Sequence, residues 1–171
     1  MWVKITGFGR SRLLNNRGVE QLIAKAPEVH VSNPPLTEIV YVNRTEPEHG
    51  DMRRRPTQTM ADTEINEATQ TARIRIFRQK PTGNDDIFDF QDSIFHEIGH
   101  VVYYFFLTNE QKLKWHRVHT NTHFRWTEAG GDPVEHFAET YATYLLHKEL
   151  VKGQLPTEYS FMEHEVFRVD Q

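Results

Sequence analysis

With 171 residues, 37% of them hydrophobic and 12% aromatic, the chain is long enough for one domain spanning 1–171 with a core of its own. A formal net charge of −4 gives no general attraction to nucleic acid, and Arg53-Arg54-Arg55 is too short a cluster to change that. The absence of cysteine excludes disulfides and thiolate-bound metals, so any metal must be held by His, Asp or Glu; ten histidines are present.

The opening Met1-Trp2-Val3-Lys4-Ile5-Thr6-Gly7 lacks the apolar core of a signal peptide, and no stretch approaches about 18 apolar residues. The expectation is a cytoplasmic protein without a membrane anchor. Val19 to Ala26 reads as a short helix with Val19, Leu22, Ile23 and Ala26 on one side, and Asn33-Pro34-Pro35 breaks what precedes it. Glu38 to Asn43 is a strand by its β-branched and aromatic content. Thr45 to Thr63, polar and carrying Pro47, Gly50 and Pro56, reads as a loop.

Thr71 to Arg78 alternates Ala72, Ile74 and Ile76 with Thr71, Arg73 and Arg75, the pattern of a half-buried strand at a sheet edge. A turn at Pro81 to Asp86 leads into a long helix from Phe88 to Leu107. Thr108 and Gln111 form a capping-box pattern that opens a helix reaching about Val118, and His119 to Gly131 is loop-like. Asp132-Pro133 starts the last strong helix, predicted to run to about Leu150 and stop at Gly153 and Pro156. Strands first and helices after predict an α+β fold.

The long helix carries His96-Glu97-Ile98-Gly99-His100. At about 100° per residue His100 falls about 40° from His96, and Ile94, Phe95, Ile98, Val101, Val102, Phe105 and Phe106 fall on the opposite side. Two imidazoles on one face can grip a single zinc ion while Glu97 acts on its water. Histidines and a glutamate on so apolar a helix need partners, and a metal supplies them together. A catalytic zinc usually has three protein ligands and one open position. Glu135 and Glu139, 35 and 39 residues beyond His100, are both candidates for the third, although Asp132-x-x-Glu135 also reads as a capping box.

This HExxH, followed by Asp132-Pro133-Val134-Glu135-His136-Phe137-Ala138-Glu139-Thr140-Tyr141, resembles the gluzincin-type zinc peptidases (zincins) that include the anthrax lethal factor catalytic domain and the Pro-Pro endopeptidases. The resemblance covers roughly residues 90–150. It implies a zincin-like domain, a short twisted sheet packed on the HExxH helix and on a glutamate-bearing helix. It makes His96, His100 and Glu135 the ligands of one Zn2+, Glu97 the general base, and Glu139 a carboxylate that orients a ligating imidazole. The implied reaction is hydrolysis of a peptide or protein substrate.

Where that family has a tyrosine seven residues before the ligand glutamate, this chain has Glu128. Stabilisation of the transition state then falls to His123, Arg125 or Tyr103. A substrate strand would add to the edge of Thr71–Arg78, with Arg73 and Arg75 hinting at acidic residues in it. Two other functions compete: a zincin-fold protein with a structural or binding role, for instance in a phage particle, and a regulatory protease that cuts repressors. No helix-turn-helix is visible to support the second.

Overall fold

The computed structural model describes residues 2–44, 46–47, 58–78, 86–122 and 131–168. It is α+β, with a four-stranded mixed sheet and six α-helices among the described residues. The strands of the sheet are β1 (Lys4–Thr6), β2 (Leu36–Val42), β5 (Ala61–Asn66) and β6 (Thr71–Phe77), in the order β1-β2-β6-β5. The pairs β1/β2 and β2/β6 are parallel, and β5/β6 is antiparallel with Thr63 opposite Ile74.

β6 therefore lies inside the sheet, not at the edge the sequence suggested. Its extra neighbour, β5, starts in the segment read as a loop and runs three residues past it, with Ala61, Thr63 and Ile65 alternating with Asp62, Glu64 and Asn66. That period of two is a strand pattern, but only Ile65 is large and apolar. The rest of that segment contributes a small second pairing, β3 (Glu46–Pro47) with β4 (Gln58–Thr59). Arg53-Arg54-Arg55 and the turn at 81–85 lie outside the described residues.

The two faces of the sheet follow from strand alternation. One carries charge: Arg73 bonds Glu38 at 2.9 Å, and Arg75 holds Asp62 through two bonds of 2.8 and 2.6 Å and Glu64 at 3.0 Å. The guanidiniums of Arg73 and Arg75 are thus engaged by carboxylates of this chain, which removes the basis for reading them as a lining for acidic substrates. The other face buries Ile39, Tyr41, Ala72, Ile74 and Ile76. Against it packs α2 (Asp86–Phe105), longer by two residues at its start than the sequence indicated.

As the helical wheel predicts, Ile94, Phe95, Ile98, Val101 and Val102 of α2 are fully buried, whereas Phe105 and Phe106 of the same stripe are half-buried and the helix ends at Phe105, two residues short of Leu107. Phe8 reaches the start of this layer, its ring 5.7 Å from Tyr41 and 6.2 Å from Phe90. Gly7 makes that entry possible: it has φ +81°, and a Cβ there would lie 2.5 Å from the Tyr41 carbonyl oxygen.

α1 (Asn16–Ile23) begins before the apolar stripe because Asn15 caps it, accepting from the Gly18 amide at 2.8 Å. α3 (Asn109–Asn121) has the expected capping box, with both Thr108–Gln111 bonds formed, and continues past Val118 to take in His119. α4 (Pro133–Leu146) starts where Asp132-Pro133 directs but stops at Leu146, since His147 leaves the helical region (φ −141°, ψ 52°). The chain then turns back through α5 (Lys148–Gln154) and α6 (Pro156–Phe161), burying Val151, Leu155 and Phe161 in the same core as α2 and the sheet. Among the described residues no helix is long and apolar enough to cross a membrane.

Candidate metal centre

Helices α2 and α4 meet at Gly99 and Ala138. A Cβ on Gly99 would stand 2.8 Å from the Ala138 Cα and 3.2 Å from both the Ala138 carbonyl oxygen and the Tyr141 Cβ. Two backbones this close need small residues on both sides. The glycine inside the HExxH motif is therefore what lets α4 come near enough to bring Glu135 over the histidines.

The start of α4 is fixed by α3. Trp115, fully buried, donates from Nε1 to the Pro133 carbonyl at 2.6 Å, and His119 Nδ1 lies 3.0 Å from Nδ1 of the buried His136. Glu135 is flanked by these two anchored residues of its own helix turn. Asp132 caps α4 alone, accepting from the Val134 amide at 2.8 Å. The Glu135 carboxylate faces the imidazoles: Oε2 is 3.1 Å from His96 Nε2, and Oε1 is 3.4 Å from His100 Nε2. The two histidine Nε2 atoms are 3.1 Å apart, with the rings tilted 78° to each other.

A neutral imidazole Nε2 bears either one proton or one lone pair, so the His96 nitrogen cannot satisfy both Glu135 and His100 fully. Two imidazole nitrogens and the two oxygens of one carboxylate are thus gathered within 3.4 Å of a neighbour. Ligands about 2.0–2.1 Å from a tetrahedral zinc stand about 3.3 Å from one another, close to the 3.1–3.4 Å separations found here. The donor set of two imidazoles and one carboxylate fits a divalent ion of that kind. A donor atom of Glu97 also lies within 4.8 Å of those of His96 and His100.

Burial tunes the site unevenly. It pulls the His100 imidazole down to about 4, helped by the neighbouring His96. Burial acts the same way on His96, but the hydrogen bond it donates to Glu135 and the carboxylates of Glu97, Glu135 and Asp92 leave it above its ordinary value. Glu135 is held below the usual carboxylate range by its bond to His96.

Glu97 is only 7% exposed, and burial lifts its carboxyl to about 7, against the lowering pull of His96 and of a hydrogen bond from Thr63. The Thr63 hydroxyl, on β5, donates to Glu97 Oε2 at 2.6 Å and also stands 3.3 Å from the Glu97 carbonyl. Sequence reasoning missed Thr63 because the strand carrying it was read as loop; the alternation of 61–66 was the available signal. It also missed Trp115, His119 and His136, whose roles depend on how α3 and α4 pack.

The structure brings His96, His100 and Glu135 together with Glu97 beside them. Glu139 lies one turn further along α4, half-buried. Tyr103 is one turn beyond His100, with its ring 5.4 Å from Phe137 and its hydroxyl 3.3 Å from His116 Nε2. His123, Arg125 and Glu128 lie outside the described residues. No protein-family model matches this chain, and no curated protein matches it either.

Proposed function

We propose that this protein is a zinc-dependent endopeptidase of the zincin type. One observation carries the reading: the His96 and His100 Nε2 atoms lie 3.1 Å apart, each with one oxygen of Glu135 from a second helix at 3.1 and 3.4 Å, beside the buried carboxyl of Glu97. The resemblance of residues 90–150 to gluzincin-type peptidases supports it. His96, His100 and Glu135 hold the ion, and Glu139 orients a ligating imidazole. Zinc bound there would supply Lewis acidity, able to lower the pKa of a water from near 16 to about 7 and to polarise a carbonyl.

The remaining chemistry belongs to the chain. Glu97 accepts the proton of the attacking water, as a base with a pKa near the working pH does best, and delivers it to the departing amine nitrogen. β5 is paired only with β6 among the described residues. An extended peptide adds to its other edge, next to Glu97, and not to β6.

Zinc content and an unbiased peptide-library digest test this reading. Wild type is expected to bind one zinc and cleave. Glu97→Gln keeps the zinc and loses cleavage, whereas His100→Ala and Glu135→Ala lose both. Stoichiometric zinc in Glu135→Ala with none in Glu139→Ala reverses the ligand assignment. Zinc binding that raises the melting temperature of a protein with no cleavage assigns the ion a structural role instead.

A further inference from the structure

The mechanism above gives Glu97 a task but leaves open what aims it. A glutamate carboxylate on a helix turns about three side-chain torsions, and burial alone does not choose among its orientations. The Thr63 hydroxyl makes that choice. It has one proton to give, and Glu97 Oε2 at 2.6 Å is the nearer of its two acceptors, the other being the Glu97 carbonyl at 3.3 Å. Tying Oε2 leaves Oε1 to meet the water. Thr63 reaches Glu97 from the inner face of β5, where its cross-strand partner is the fully buried Ile74, so its own backbone is held in register.

Resting on the peptidase reading, we propose that Thr63 is a positioning residue for the general base, and that it links substrate docking to catalysis. A peptide that adds to β5 pairs with the strand whose third residue holds Glu97. Ordering that strand orders the carboxylate. Binding energy from parts of the peptide remote from the cleaved bond then appears in kcat as well as in KM.

Two measurements test this, one of which needs neither metal nor substrate. In the metal-free protein, urea unfolding of wild type, Thr63→Val, Glu97→Leu and the double variant gives the coupling of the pair, since leucine leaves no side-chain acceptor for the Thr63 hydroxyl. A coupling of about tenfold in the unfolding equilibrium is expected for a hydrogen bond to a carboxylate, and additive effects overturn the proposal. With zinc bound and a cleaved peptide in hand, Thr63→Val is expected to lower kcat about tenfold, with KM and zinc content unchanged, and Thr63→Ser to restore most of it.

Lengthening the peptide along β5 should raise kcat in wild type and not in Thr63→Val. Equal gains in both, or a kcat loss explained by lost zinc, count against the proposal. Should Thr63→Val not fold, Thr63→Ala serves the same comparisons. A wild type that binds zinc and cleaves nothing ends the peptidase reading and the purpose of the contact with it; cleavage untouched by Thr63→Val ends this inference alone.

Discussion

Gly99→Ala is the sharpest probe of how the site is built. The added methyl would start 2.8 Å from the Ala138 Cα, whereas ordinary contacts of this kind lie at 3.4–4 Å, so α4 must retreat by roughly 0.6–1.2 Å. Overpacking of this sort costs about 1–3 kcal/mol, and the better helix propensity of alanine returns up to about 1 kcal/mol. The net loss is about 1–2 kcal/mol, which for a chain of this size lowers the melting temperature by roughly 2–8 °C. The same retreat carries Glu135 away from the histidines by several times the roughly 0.2 Å that a zinc site tolerates. Zinc affinity should therefore fall at least about tenfold. Thermal melts of metal-free protein and chelator competition measure the two effects. Gly153→Ala is the control: nothing lies within 4 Å of a Cβ there, and the change should be neutral or slightly stabilising. If Gly99→Ala melts like wild type and keeps its zinc affinity, the close approach of the two backbones does not set the position of Glu135.

His30 gives the protein a pH-dependent stability of calculable sign. It is 4% exposed, its Nδ1 lies 3.0 Å from the Tyr141 hydroxyl, and burial lowers its pKa from 6.5 to about 4. Between those values the unfolded chain binds a proton that the native state does not, so the contribution is complete above pH 6.5 and is lost as pH falls towards 4. Its size is up to about 3 kcal/mol, and urea titrations of wild type against His30→Gln should show it as a shallower slope in the variant over that window. Thr108→Ala removes one arm of the α3 capping box and should cost about 1 kcal/mol by the same measurement, without altering zinc binding.

What the sequence made legible depended on how local each signal was. The HExxH spacing and the apolar stripe of α2 are set within one helix, and so are the Thr108–Gln111 box and the Asp132 cap; all appear in the structure as read. β5 was not legible because Thr63 and Ile65 alternate with acids whose partners, Arg75 and Arg73, are strand neighbours rather than chain neighbours. Placing β6 at an edge followed from that omission. The choice between a capping role and a site role for Glu135 was equally out of reach, since it turns on Gly99 and Ala138 touching across 39 residues of chain. The break at His147 likewise answers to the packing of α5 and α6, which no periodicity within α4 announces.

The donor cluster draws on both sides of residues 101–131, with its imidazoles before them and its carboxylate after. During synthesis the two histidines are added 39 and 35 residues before Glu135. The helix bearing the histidines therefore offers two nitrogens by itself, and the carboxylate joins them through α4, whose start is held by Trp115 and His119. The set of donors is thus completed late in the chain, by a contact between helices and not by either helix alone.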